Sequence, residues 1–126
     1  PPPPPPLFFF MHKREYEIRL SLVGSEMCIR DRFENIREWA RVRGLYDEGN
    51  SHTQYVKLQE EAGELAKALL ENDKAEVIDA IGDMVVVLTN LAHLQGVHIE
   101  TCIAEAYKVI SKRKGKMING TFVKDE

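Results

Sequence analysis

The chain contains four successive stretches in which apolar residues recur every three or four positions, the period of an amphipathic helix. These stretches predict helices at residues 33–43, 53–71, 73–94 and 101–114. The positions predicted to face inward share this spacing: Phe33, Ile36, Trp39 and Ala40; Tyr55, Leu58, Ala62, Leu65 and Leu69; Val77, Ile81, Met84, Leu88 and Leu91; Ile103, Ala106, Tyr107 and Ile110. Because the connections are short, consecutive helices are expected to be antiparallel. The pattern predicts an all-α fold.

Polar and glycine residues mark the ends of these helices. Gly44 and Gly96 follow the first and third helices, where a left-handed backbone conformation commonly ends a helix. The patterns Ser51-x-x-Gln54 and Asp73-x-x-Glu76 predict capping boxes at the starts of the second and third helices.

The pair Asn119-Gly120 predicts either a small hairpin or an extended arm at the C-terminus. Four helices of this length bury a small core. A homodimer is therefore expected, with helix faces paired between chains.

Six carboxylates accompany the apolar faces of the two central helices: Glu60, Glu61, Glu64, Glu76, Asp79 and Asp83. The run at residues 84–88 is apolar on every side, which predicts a buried helix, so the acidic stripe reaches the rim of a core. Carboxylates in such a place are costly unless cations hold them ionised. Oxygen ligands without His or Cys favour Mg²⁺ or Mn²⁺, and such a site suits phosphate esters and anhydrides.

Three features have both a structural and a functional interpretation. The basic run SKRKGK either stabilises the C-terminal end of the fourth helix or clamps phosphate. His52 is either a solvated loop residue or a nucleotide contact. Glu76 is likewise either a helix cap or a metal ligand.

Composition narrows the class of protein. The 126 residues suffice for one domain, and the net charge of −3 disfavours a nucleic-acid polymer as partner. Cys28 and Cys102 are too few for a disulfide framework, which fits a cytoplasmic location. No apolar run appears long enough to span a membrane.

Residues 1–32 differ from the rest of the chain. Six prolines open them, and residues 16–32 resemble translated sequencing-adaptor read-through. We interpret residues 1–32 as non-native or as a disordered tail, and residues 33–126 as the functional domain. That domain carries 12 Lys and Arg against 16 Asp and Glu.

The pattern Glu60-Glu61-x-x-Glu64, followed by Glu76-x-x-Asp79, resembles the E-E-x-x-E…E-x-x-D signature of MazG-like, all-α nucleoside triphosphate pyrophosphohydrolases. The segments IDAIGDMVVVLTNLA and RKGKMINGTFVK are similar to small, phage-type members, and the likeness covers nearly all of residues 33–126. It implies a four-helix bundle completed by homodimerisation, or a dimer of dimers. It also implies Mg²⁺-dependent hydrolysis of a nucleoside (deoxy)triphosphate to the monophosphate and pyrophosphate, with Mn²⁺ as a substitute.

The resemblance assigns roles to the first group of carboxylates. Glu61 and Glu64 match the first metal-binding pair, and Glu60 matches the first glutamate of the motif. All three are therefore catalytic candidates, with Glu60 acting behind the ligands or on the attacking water.

The second metal-binding pair stays open. Taken literally, the motif selects Glu76 and Asp79. Aligned on the apolar run instead, it selects Asp83, with Asp79 replacing a glutamate that falls on Ala80. The implied substrate and phosphate contacts are Asn90, Lys108, Lys112, Arg113 and Lys116.

Two alternatives to this function are kept. Phosphoribosyl-ATP pyrophosphohydrolases have similar acidic helices, although the tail fits them less well. A helical dimerisation module with solvated carboxylates and no catalysis is the other alternative.

Overall fold

A computed structural model describes residues 25–126 of the chain, with side chains from residue 31 onward. The described elements run in the order α1 (Ser25–Val42), α2 (Leu45–Glu48), α3 (Ser51–Leu70), α4 (Lys74–Leu94), α5 (Ile99–Ile110), β1 (Gly115–Ile118) and β2 (Thr121–Lys124). The predicted helical class with a short C-terminal tail is confirmed. The tail is a hairpin, and α5 ends four residues before the predicted boundary.

The chain divides into two compact units, Pro1–Asp47 and Glu48–Glu126. Residues 1–24 of the segment interpreted as non-native lie outside the described residues. Helix α1 begins at Ser25, within that segment and eight residues before the predicted start. Gly44, with a φ of 80°, follows the helix as predicted.

The buried side of α1 agrees with the predicted one at Phe33, Ile36 and Ala40, but not at Trp39. Trp39 is 46% exposed, and the guanidinium of Arg43 lies over its ring, 4.6 Å from the ring centroid. Arg37 is buried as well, and its Nε donates to Glu34 Oε1 at 2.5 Å. The prediction that Trp39 faces inward is therefore wrong for the described chain.

Helices α3 and α4 pack along each other and form the main helix pair of the second unit. Asn50 caps α3, since its Oδ1 accepts from Thr53 N at 2.9 Å and Thr53 Oγ1 accepts from Asn50 N at 3.4 Å. This capping box lies one residue before the predicted Ser51 box. Asp73 caps α4 as predicted, accepting from Glu76 N at 3.2 Å.

The inward seam of α3 is rotated from the predicted apolar stripe. Most of its half-buried or buried positions are spaced three and four residues apart: Ser51, Gln54, Leu58, Glu61, Ala62, Leu65 and Ala68. The predicted stripe shares Leu58, Ala62 and Leu65 with this seam, but it also included Tyr55 and Leu69, and both are more than half exposed. At about 100° per residue, the observed seam is turned by roughly 40° toward Glu61. The rotation brings a carboxylate into the helix contact.

Helix α4 shows the same arrangement. Ala80, Val87 and Asn90 are buried, and Asp83 lies half-buried between them at the spacing of a helix–helix seam. The expectation that residues 84–88 are buried on every side is wrong for the described chain. Val85 and Leu88 are exposed and continue a second apolar stripe that starts at Ile78 and Ile81.

The C-terminal elements are exposed along their whole length. All of residues 101–126 are exposed, including the face of α5 that was predicted to turn inward. Strands β1 and β2 pair in register, with Met117 opposite Phe122. The turn residues Asn119 and Gly120 both have positive φ, as a two-residue hairpin requires.

Candidate active site in the seam of α3 and α4

Glu61 is the central residue of the candidate site. Its side chain lies in the seam at 6% residue exposure, and the sequence places it there because small and apolar residues flank it at seam spacing. Oε1 lies 3.4 Å from Lys57 Nζ, whereas Oε2 is buried without a hydrogen-bond partner. Unpartnered buried oxygens are rare in folded proteins and are costly. Oε2 is therefore a candidate ligand atom.

Asp83 of α4 lies close enough to Glu61 and Asp79 to sense both charges. Burial raises the pKa of the Asp83 carboxyl, and the negative charges of Asp79 and Glu61 raise it further. The neighbouring side chain of Asp79 also favours the protonated form of Asp83 and so contributes to its raised pKa. The two helices thus bring three carboxylates into one electrostatic neighbourhood.

Lys57 is the cation beside this group. Its Nζ donates to Glu60 Oε1 at 2.7 Å, and this hydrogen bond is the main cause that raises the Lys57 pKa. The pairing leaves Lys57 shared between Glu60 and Glu61. Sequence reasoning missed Lys57, although its i,i+3 and i,i+4 spacing to the two glutamates could have shown it.

Other predicted ligands lie further from the seam. Glu64 and Glu76 are exposed, and Asp73 rather than Glu76 provides the side-chain cap of α4. Asp79 is also exposed, but it neighbours Asp83. This proximity favours the alignment that uses Asp79 and Asp83, and the ligand assignment stays a prediction.

Asn90 is buried, whereas the basic residues predicted to bind phosphate are exposed. Asn90 is 1% exposed and is engaged with other groups, which favours a packing role over the predicted substrate contact. Lys108, Lys112, Arg113 and Lys116 are exposed. In the described chain Lys108 pairs with Glu105 of its own helix at 3.4 Å, and no cation of this group pairs with a carboxylate of α3 or α4.

The carboxylates fit a hard divalent cation by their chemistry. Within residues 31–126, no three His, Cys, Asp or Glu side chains already converge as a metal-holding group. The buried Oε2 of Glu61, however, lacks a partner beside two further carboxylates. An oxygen-only donor set of this kind suits Mg²⁺ or Mn²⁺.

An open cavity of about 420 Å³ lies between the start of α3 and the end of α4. Its described lining consists of Ser51, His52, Tyr55, Leu91 and Gln95, and it is largely apolar. Gln95 Nε2 donates to Ser51 Oγ at 2.5 Å and joins the two helix ends. Of these lining residues, sequence reasoning gave a possible nucleotide contact only to His52, because pairing of these helix ends is a tertiary feature.

Carboxylates in a helix seam are compatible with binding a divalent cation, and such a cation suits phosphoric anhydrides. Residues 30–109 match the phosphoribosyl-ATP pyrophosphohydrolase family. The chain belongs to this family, whose name describes a pyrophosphohydrolase activity.

Comparison with curated proteins adds a phage relative. The chain is 39% identical over 59 residues to an uncharacterized 18.2 kDa protein of the rep-hol intergenic region of Haemophilus phage HP1. The match covers 47% of the chain and 36% of that protein. No solved structure matches the chain significantly.

Helix α4 also meets the length and composition of a membrane-spanning helix, unlike the expectation from the sequence. A single helix of this kind is weak evidence, since the core helix of a soluble protein has the same properties. Here α4 packs along α3 and carries Asp79 and Asp83. These features favour a protein-packed helix.

Proposed function

We propose that the protein hydrolyses a nucleoside (deoxy)triphosphate to its monophosphate and pyrophosphate in a Mg²⁺-dependent reaction. The observation that supports this most is the buried, unpartnered Oε2 of Glu61, a residue whose charge also acts on Asp83 of the neighbouring helix. Because no other side chain donates a hydrogen bond to this oxygen, it is available to bind a cation. Family membership supplies the reaction class, and the carboxylates supply the chemistry of the donor set.

In this proposal Glu61, Glu64, Asp79 and Asp83 hold the metal, with Glu76 at the edge of the acidic face. A bound divalent cation supplies neutralisation of phosphate oxygens and activation of water. Lys57 holds Glu60 and Glu61 in place through its two ion pairs. Glu60 is positioned to accept a proton from the attacking water, as its place in the motif implies.

We further propose that the cavity between the start of α3 and the end of α4 receives the base and sugar of the substrate. Tyr55 precedes Glu61 by six residues on α3, and Leu91 follows Asp83 by eight on α4. At 1.5 Å per residue these offsets are about 9 and 12 Å. That separation suits a nucleotide whose phosphates lie at the carboxylates. His52 and Gln95 offer polar contacts to base edges.

Tyr55→Ala is expected to raise KM roughly tenfold and leave kcat within about twofold, because ring stacking on a base contributes about 1–3 kcal/mol. Steady-state kinetics on the best substrate would measure both constants. Val56→Ala is the matched control, since Val56 is an exposed neighbour outside the described cavity lining. A loss of kcat with unchanged KM would contradict the assignment of the cavity.

A second candidate substrate is phosphoribosyl-ATP, which the name of the matched family favours.

A panel of common and damaged (d)NTPs, assayed with Mg²⁺ or Mn²⁺, tests the two candidates. We expect at least one (d)NTP to release pyrophosphate faster than phosphoribosyl-ATP does. Enzymatic detection of pyrophosphate would measure it, with EDTA as the control. Turnover of phosphoribosyl-ATP alone would establish the second candidate. No turnover, together with no thermal shift on adding metal, would favour the dimerisation module.

We also propose that the protein acts as a homodimer or dimer of dimers in the cytoplasm of a bacterium or a phage-infected host. The second apolar stripe of α4, at Ile78, Ile81, Val85 and Leu88, supports this. Exposed stripes with spacing of three and four residues are typical of helices that pair with another helix.

A further inference from the structure

Lys57 supplies positive charge to the acidic seam of α3 and α4. Its Nζ lies 2.7 Å from Glu60 Oε1 and 3.4 Å from Glu61 Oε1, on the same helix and about one turn away. In the described part of the chain, no other Lys or Arg forms an ion pair with either glutamate. Burial and two neighbouring carboxylates raise the pKa of Asp83 on α4, whereas the charge of Lys57 lowers it. Lys57 therefore acts as a counter-ion for carboxylates of both helices.

This counter-ion neutralises Glu61 only in part. The shorter contact of Lys57 is its hydrogen bond to Glu60, and the longer one reaches Glu61 Oε1 alone. Glu61 Oε2 stays buried without a hydrogen-bond partner. A buried carboxylate needs a close counter-charge, because it has lost its contacts with water. A divalent cation carries twice the charge of an ammonium group and prefers carboxylate oxygens, so it is the stronger counter-ion for this side chain.

The contact between Lys57 and Glu61 is also easily lost. The Lys57 side chain is 50% exposed, and the Glu60 side chain with which it pairs is 57% exposed. Exposed ion pairs within one helix are weak, because water screens them and long side chains lose freedom in them. An ammonium group and a divalent cation on the same carboxylate would repel each other at short range. Lys57 can therefore leave Glu61 at little cost and stay with Glu60.

We propose that Lys57 is a displaceable counter-ion, which pairs with Glu61 in the metal-free protein and leaves it for Glu60 alone when a divalent cation binds. The inference rests on the proposed function only in that a divalent cation is a ligand of the seam. It makes Lys57 a positioning residue. The lysine stabilises the metal-free fold and, because it must be displaced, weakens the binding of metal alone.

Calorimetric titration with Mn²⁺ in the absence of nucleotide tests the competition. Lys57→Met removes the charge but keeps an unbranched, helix-forming side chain. We expect its Kd for Mn²⁺ to fall roughly threefold to tenfold below that of the wild type, and Lys57→Arg to stay within about twofold of the wild type. Equal binding in Lys57→Met would overturn the proposal. Weaker binding would do the same, since it would mean that Lys57 prepares Glu61 for the metal.

Lys74→Met is the matched control for general loss of positive charge. Lys74 is the exposed first residue of α4 and precedes Asp83 by nine residues, about 13 Å along the helix. Its substitution should leave the Kd for Mn²⁺ within about twofold of the wild type. Equal tightening in both variants would assign the effect to net charge and refute the specific role of Lys57.

Thermal unfolding gives a readout that a purely structural role would not produce. In EDTA, Lys57→Met should melt about 2–5 °C below the wild type, because its seam has lost the counter-ion. With saturating Mn²⁺ the difference should vanish or reverse. A deficit of the same size in both conditions would show that Lys57 supports the fold and does not compete with metal.

Acetylation of the wild-type protein tests the displacement without any substitution. Mass spectrometry after brief treatment with acetic anhydride measures the rate at Lys57 relative to that at Lys74. We expect this ratio to rise about twofold or more with saturating Mn²⁺, because an amine that loses an ion-pair contact gives up its proton more readily. An unchanged ratio would contradict the displacement.

These measurements separate the two possible failures. Tighter Mn²⁺ binding by Lys57→Met, in a protein without nucleotide turnover, would keep the counter-ion and refute the proposed function. Nucleotide turnover with equal Mn²⁺ affinity in the wild type and Lys57→Met would keep the function and refute the counter-ion. A wild-type protein that binds no Mn²⁺ in the absence of nucleotide would also refute the counter-ion, whatever its turnover.

Discussion

Glu61→Gln is expected to abolish turnover, by at least about a hundredfold, and to remove the thermal stabilisation by Mg²⁺. The carboxylate contributes an oxygen that is buried and unpartnered, and a neutral amide binds a hard cation poorly. Loss of several kcal/mol of charge stabilisation corresponds to a rate loss of this size. Initial rates of pyrophosphate release and melting curves with and without Mg²⁺ would measure the two effects.

The helical fold should survive this substitution. Gln has nearly the shape of Glu, and the change removes a buried charge that has no partner on Oε2. Glu71→Gln is the matched control, because Glu71 is an exposed C-cap residue of the same helix. Full activity in Glu61→Gln, or equal losses in both variants, would refute the role of Glu61.

Asp83→Asn is expected to stabilise the metal-free protein and at the same time to inactivate it. Burial raises the pKa of the Asp83 carboxyl, and repulsion by Asp79 and Glu61 raises it further, so the ionised form is disfavoured in the folded protein. Removing one charge from the i,i+4 pair with Asp79 should raise the free energy of unfolding by about 0.5 kcal/mol at neutral pH. Urea unfolding followed by circular dichroism in EDTA would measure this gain.

The same variant should lose turnover and the thermal shift with Mg²⁺. This combination distinguishes a metal ligand from a packing residue, because loss of a packing residue lowers stability and activity together. Asp47→Asn is a suitable control, since Asp47 is exposed and outside the acidic face. A destabilised or fully active Asp83→Asn protein would remove Asp83 from the ligand set.

Local sequence patterns were sufficient for the four long helices and the hairpin turn, but they did not predict the short helix α2. The apolar spacing predicted the helices, Asp73 predicted the start of α4, and Gly44, Gly96 and the Asn119-Gly120 pair predicted the turns. These predictions succeed because caps and positive-φ residues act within a few positions of the chain. The family resemblance also followed from a local motif, and the match over residues 30–109 confirms it.

Only the tertiary structure decided which side of each helix faces its neighbour. The apolar residues of α3 predicted a seam through Tyr55 and Leu69, whereas packing against α4 selects the side with Glu61 and Ala68. A helix with several apolar positions permits more than one packing face, and the partner helix determines which is used. The same rotation brings Glu61 near Asp83 and leaves its Oε2 without a partner, which spacing within one helix cannot reveal.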